Sequence, residues 1–232
     1  MNEDTWSQLL LAASSRSKKL RLDQVLSTVV RPCYSVWADR VEEAIFLAGR
    51  GLSRKRNYVN PSEDNLTTAL LAYLDGLGFS ADMKVVNGNC DIVVDEEGYL
   101  WVGEAKLDKG VSWIWKGYQQ LTTRYAPGLA EGDRGGMIIY CVNESVPVTM
   151  AGWKAALAAQ LKTVGDFESW PMSNCAFRSY TAAPATGRTL NVLHQAFALL
   201  HDPKDATAQL SKEASDAAHK AKRAAKNAGQ MR

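Results

Sequence analysis

Cys90-Asp91-Ile92-Val93-Val94-Asp95 and Tyr99-Leu100-Trp101-Val102-Gly103-Glu104-Ala105-Lys106, separated by Glu96-Glu97-Gly98, decide how this chain folds. Both runs are short, apolar and rich in β-branched or aromatic residues, and the turn residues between them predict a β-hairpin. With Glu97-Gly98 as a two-residue turn, residues whose numbers sum to 195 face each other. Asp91 then lies opposite Glu104, and Val93 opposite Val102. Cys90, Ile92 and Val94 share the other face with Trp101, Gly103 and Ala105. Apolar residues on both faces predict a central strand covered on two sides. A slip of one residue would put Asp91 and Glu104 on opposite faces.

The charged end of the hairpin suggests chemistry. Like charges directly opposite each other destabilise a sheet, so Asp91 against Glu104 calls for something positive. Lys106, two residues from Glu104, leaves the same face about 7 Å along the strand. A hard divalent cation, Mg²⁺ or Mn²⁺, would supply the remaining charge, because carboxylates are its preferred protein ligands. A metal so held orients and acidifies water and shields a phosphate, while a lysine beside it stabilises developing charge; this is phosphodiester hydrolysis. The plain alternative is a salt bridge between Glu104 and Lys106 at the rim of an ordinary α/β domain.

Around the hairpin, the spacing predicts one or two helices over residues 4–30, stopped by Arg31-Pro32, and another over 35–48. The stretch Arg50-Gly51-Leu52-Ser53-Arg54-Lys55-Arg56 is expected as a basic loop, and Arg54, Lys55 and Arg56 are candidates for phosphate contacts. Asn60-Pro61-Ser62-Glu63-Asp64 opens a capped helix whose buried stripe is Leu66, Leu70, Tyr73, Leu74 and Leu77, with Glu63 one turn earlier on the same side. A strand over Met83 to Val86 precedes the hairpin. A helix over 112–125, with Trp113, Ile114, Gly117, Tyr118 and Leu121 inward, leads through a polar loop, 127–136, in which Gly132 to Gly136 form a turn. Met137 to Val142 then make a buried strand parallel to 99–106. Trp113 and Trp115 are candidates for stacking on bases, although a core role is the simpler reading of Trp113. Thr149 to Leu161 read as a helix, and 176–180 and 190–194 as peripheral strands. His194, within an apolar run, is expected as a hydrogen-bonded core residue.

Glu63 on a helix, then Asp91, then Glu104-Ala105-Lys106, then Gln119 or Gln120 on the following helix: this order resembles the PD-(D/E)xK (restriction endonuclease-like) nuclease superfamily over roughly residues 60 to 145. The resemblance implies an α/β fold with an αβββαβ core, a mixed central sheet flanked by helices. It implies that Asp91 and Glu104 bind Mg²⁺, that Lys106 is the catalytic lysine, that Glu63 assists the metal, and that the helix glutamine, Gln120 if not Gln119, supports the site. Cys90 stands where the motif carries its proline. The function expected is a metal-dependent DNA endonuclease (RNA is not excluded), by analogy an antiphage defence effector acting as a homo-oligomer or within a larger defence complex. A catalytically silent nuclease-like module binding nucleic acid or a partner protein is the alternative.

Bulk properties agree with this frame. Residues 1–60 carry ten Lys/Arg against six Asp/Glu, residues 61–203 ten against sixteen, and residues 204–232 seven against three. Acidic residues are thus gathered in the middle segment between basic ends, a distribution suited to a polyanion-binding protein. The organisation expected is an N-terminal helical segment, 1–59, packed on a nuclease-like domain, 60–203, followed by an Ala/Lys-rich helical tail, 204–232, whose Lys220 and Arg223 are further candidates for nucleic-acid contact. No apolar run is long enough to span a membrane. Acidic residues near Met1 argue against a signal peptide and for a cytoplasmic protein. Four dispersed cysteines predict reduced, mostly buried thiols, and there is no phosphate-binding G-x-x-x-x-G-K-[ST] loop.

Overall fold

A computed structural model describes residues 15–27, 29–54, 61–85, 89–125, 130–161, 167–184 and 186–200. Lys55, Arg56, Lys220 and Arg223 lie outside these ranges. The elements run α1 (Arg16–Ser27), α2 (Tyr34–Ser53), α3 (Glu63–Gly76), β1 (Ala81–Val85), β2 (Asn89–Glu96), β3 (Tyr99–Leu107), α4 (Val111–Gln120), a π-helical turn (Leu121–Tyr125), β4 (Arg134–Cys141), α5 (Val146–Gln160), β5 (Glu168–Ser169), β6 (Ala176–Ala182) and β7 (Thr189–Ala198). The fold is α/β, with one seven-stranded sheet in the order β1-β2-β3-β4-β7-β6-β5. β3, β4 and β7 pair in parallel and the remaining pairs are antiparallel, so the sheet is mixed.

Helices cover both faces. One core packs α2 and α3 residues such as Val41, Ile45, Leu66 and Leu70 against Ile92, Val94, Trp101, Ala105 and Ile138. The other packs Ile114 and Tyr118 of α4 and Trp153 and Leu157 of α5 against Val93, Val102, Met137, Ile139 and Val192. No helix among the described residues is long and apolar enough to cross a membrane.

The hairpin has the expected register, with Ile92 opposite Gly103, Val93 opposite Val102 and Glu96 opposite Tyr99. Glu97 (φ 51°) and Gly98 (φ 90°) both adopt left-handed backbone, as a two-residue hairpin turn requires. Beyond Ile92 the strand departs from expectation. The β1–β2 pairing shifts between Asp82 and Lys84, where Asp91 and Ile92 together oppose the single residue Met83. Such a bulge adds a residue to one strand and re-aims the side chains beyond it. Cys90 consequently packs with Val93 and Val102 rather than with Ile92, Val94 and Trp101.

Other corrections share a cause: burial overrides local turn chemistry. The expected loop at Arg50 to Arg56 is helical through Ser53, because Ala44, Ala48, Leu52 and their neighbours continue the buried stripe of α2. Tyr73 is 46% exposed, because the inward stripe of α3 is Leu66, Thr67, Leu70, Leu71 and Leu74 and its ring lies over Gly51 of α2. Arg134-Gly135-Gly136 begin β4 and make no turn. A Cβ on Gly136 would sit 2.6 Å from the Trp101 ring and one on Gly103 2.7 Å from it, so two paired glycines form the trough in which that indole lies. The strand expected at the periphery over 190–194 is β7, held between β4 and β6.

A buried ion cluster ties α2 to this sheet. Glu42, fully buried, accepts from Arg134 Nε at 3.2 Å and Nη2 at 2.5 Å, from Arg178 through both of its terminal nitrogens, and from Trp101 Nε1 at 3.5 Å. Asp39 adds a second carboxylate, 2.7 Å from Arg134. His194 is the expected core residue: Nδ1 accepts from Trp153 Nε1 at 3.0 Å, and Nε2 lies 2.8 Å from Ser179 Oγ. Burial pulls its pKa down to about 3, so the ring is neutral with its proton on Nε2. All four cysteines are free, with Cys90 and Cys141 buried.

Candidate active site

Glu104 and Lys106 leave β3 on the side covered by α4, near the carboxyl end of a strand that pairs in parallel with β4. In open α/β sheets, crevices at the carboxyl ends of strands are where ligands bind. Gly117 makes room for them: a Cβ there would lie 2.8 Å from Lys106 Cγ and 3.2 Å from Glu104 Cγ.

Asp91 arrives through the bulge. The last rung of the hairpin is Ile92 with Gly103, and past it the Asp91 carboxylate accepts the Ala105 N–H at 3.0 Å. Its side chain thus takes a ladder position that backbone would otherwise fill, and this anchors the carboxylate beside Lys106, 3.6 Å away. Glu63 comes from the first turn of α3, which Ser62 caps by accepting the Asn65 N–H. Its Oε2 accepts the Leu107 N–H at 2.8 Å and the Trp113 indole N–H at 3.3 Å, and its Oε1 lies 3.2 Å from Lys106 Nζ. Asp64 is exposed and turned away.

Lys106 therefore sits where three carboxylates meet. Its three donors are used by Glu104 Oε1 at 2.5 Å, Glu63 Oε1 at 3.2 Å and the Ala105 carbonyl at 3.0 Å. Glu104 Oε2 remains, buried and without a hydrogen-bond partner among the described residues. Burial pushes the Glu104 pKa up to about 7, and the neighbouring Asp91 charge pushes the same way, against the lysine. Burial also raises Asp91, opposed by the Ala105 N–H and Lys106. Burial pulls Lys106 down, but its bond to Glu104 and the surrounding negative charge outweigh that, and its pKa is raised. The Asp91 and Glu63 side chains are 24% and 21% exposed against 2% for Glu104, so the cluster opens to solvent on one side and is dry at its base.

The donor set suits a hard divalent cation. All three acids present oxygen, they outnumber the lysine, and one buried oxygen is orphaned. Among the described residues no three Asp, Glu, His or Cys side chains converge as a metal cage, and Lys106 Nζ lies 3.2, 3.6 and 2.5 Å from Glu63, Asp91 and Glu104.

Gln120 lies on the Trp113 and Gly117 side of α4 by helical spacing and is half-buried, whereas Gln119 is exposed. Neither glutamine side chain hydrogen-bonds to the carboxylates among the described residues. Arg54 is exposed at the end of α2. Trp115 stacks on Tyr118 and leans on Trp153, away from a stacking role. Trp113, expected inward, is half-buried with its N–H on Glu63. Sequence reasoning missed the bond from Trp113 to Glu63 and the neighbouring Tyr125. That Trp113 bond joins residues 50 apart and left no local signal. Tyr125 closes the π-helical turn, and its phenol is pushed up by burial and by the charges of Glu104 and Asp91, among others. Single π turns recur at functional sites, but their extra residue has no sequence signature.

Set against models of protein families, curated proteins and solved structures, the chain matches none.

Proposed function

We propose that this chain is a metal-dependent nuclease with a restriction endonuclease-like core of the PD-(D/E)xK type, hydrolysing phosphodiester bonds in DNA. One observation carries the proposal: Glu63, Asp91 and Glu104, from three separate elements, gather around Lys106 with a buried Glu104 oxygen left unpartnered. An ordinary rim salt bridge has no use for two further carboxylates or for an unpartnered buried oxygen.

Asp91 and Glu104 would hold Mg²⁺ or Mn²⁺, which when bound supplies neutralising charge for the phosphate and an acidified water. Ala105 N–H fixes Asp91, and Leu107 N–H with Trp113 fixes Glu63, so the acids are oriented before a substrate arrives. Lys106, released from the carboxylates by competing charge, donates to an anionic phosphate oxygen or to the attacking water. Gln120, on the Trp113 and Gly117 side of α4 by helical spacing, would support the site from that helix.

The test is plasmid nicking in Mg²⁺ and in EDTA by the wild-type protein and by Asp91→Ala, Glu104→Ala and Lys106→Ala. Metal-dependent cleavage that disappears in each variant is the expected result. Equal cleavage by wild type and Glu104→Ala refutes the proposal. The hydrogen bonds that satisfy Lys106 internally favour a second reading, a catalytically silent module that binds nucleic acid. It predicts salt-sensitive binding with no cleavage in any metal.

A further inference from the structure

Lys109 and Lys116 both lie over the ring of Trp113, with Nζ 5.2 Å and 5.5 Å from its centroid. Both lysines are exposed, and neither forms an ion pair among the described residues. The indole beneath them is half-buried and gives its N–H to Glu63, a member of the carboxylate cluster. Two uncommitted cations on one aromatic plate thus stand one hydrogen bond away from the candidate centre.

A phosphodiester approaching that centre meets three carboxylates whose single lysine is already occupied. Without positive charge beside the centre, a polyanion would be repelled from it. Lys109 follows the end of β3, and Gly110, at φ 106°, bends the chain into α4 so that Lys109 and Lys116 flank the same ring. We infer that Lys109 and Lys116, set over the Trp113 ring, form the rim that binds the sugar-phosphate backbone of the nucleic acid strand delivered to the carboxylate centre. The lysines take phosphates next to the scissile one. Trp113 is a positioning residue, joining the rim to Glu63. The inference rests on the nuclease reading and adds the surface by which substrate is held.

Anisotropy of a short fluorescein-labelled DNA duplex, with Ca²⁺ in place of Mg²⁺ to prevent cleavage, tests it across a range of NaCl. Lys109→Ala/Lys116→Ala is expected to bind roughly tenfold or more weakly and to lower the slope of log K against log salt by about 2, near 0.9 for each phosphate that is no longer neutralised. Lys109→Arg/Lys116→Arg restores both, and melting curves of the alanine variant match the wild type. Trp113→Phe, which keeps a ring but lacks the N–H, binds normally and cleaves more slowly at saturating DNA. If wild type binds and the double alanine variant keeps its affinity and slope, the rim is refuted while the nuclease reading stands. If wild type binds no DNA at any salt concentration and cleaves none in Mg²⁺, the nuclease reading fails and the rim falls with it.

Discussion

Glu104→Gln isolates the electrostatic burden of the candidate centre. The folded protein raises the Glu104 pKa from 4.5 to about 7, chiefly by burial. Folding therefore favours the protonated acid, so this side chain adds stability at low pH that disappears as pH rises through 7. With those two values, linkage gives a loss of roughly 2–3 kcal/mol between pH 5 and pH 8. Glutamine is neutral throughout and lacks this dependence. Measured by thermal unfolding in EDTA, the variant should gain roughly 2–3 kcal/mol relative to wild type between pH 5 and pH 8. For a protein of this size that is a change of roughly 5–10 °C in the difference between the two melting temperatures. The bond to Lys106 strengthens as Glu104 ionises, and that gain is already contained in the pKa of about 7. A difference in melting temperature that is the same at pH 5 and pH 8 would refute the assignment of Glu104 as a strained, buried acid.

Three further outcomes follow from the geometry. Lys106→Met removes the ammonium that competes for the carboxylates, so Mn²⁺ affinity by titration calorimetry should rise roughly tenfold or more, about 1.4 kcal/mol, while cleavage is abolished; weaker binding would contradict the cage around this lysine. Gly136→Ala forces a methyl group to within 2.6 Å of the Trp101 ring and 3.2 Å of the Leu193 carbonyl, and should cost about 1–3 kcal/mol by urea denaturation; an unchanged midpoint would mean the trough can relax. Glu42→Ala strands two buried arginines with Asp39 as their remaining carboxylate, and a loss of roughly 3–5 kcal/mol is expected in the same assay, whereas a loss below about 1 kcal/mol would show the cluster to be solvated.

Local pattern was enough for the hairpin. Short apolar runs on either side of Glu97-Gly98 mark a hairpin, and a two-residue turn there sets which residues face each other. Glu63 was legible for a similar reason, since Ser62 caps a helix whose apolar spacing counts back to it. Where partners are near in sequence and the periodicity is strong, side-chain direction follows from backbone geometry.

What only the tertiary structure decided depends on contacts between distant segments. Arg134 and Arg178 look like surface charges until Glu42, 92 and 136 residues away, meets both in the core. Gly136 reads as part of a turn until the Trp101 ring lies across it and its paired Gly103. At the candidate centre, the chain by itself determined which acids and which lysine share a face at the end of β3. Tertiary packing determined that the bulge lets Asp91 cap the Ala105 N–H, that Trp113 holds Glu63, and that Lys106 stands among all three carboxylates. The physical reason is that pairing register is a local property of backbone hydrogen bonds, whereas the desolvation and charge that bring these groups together arise only when separate elements enclose them.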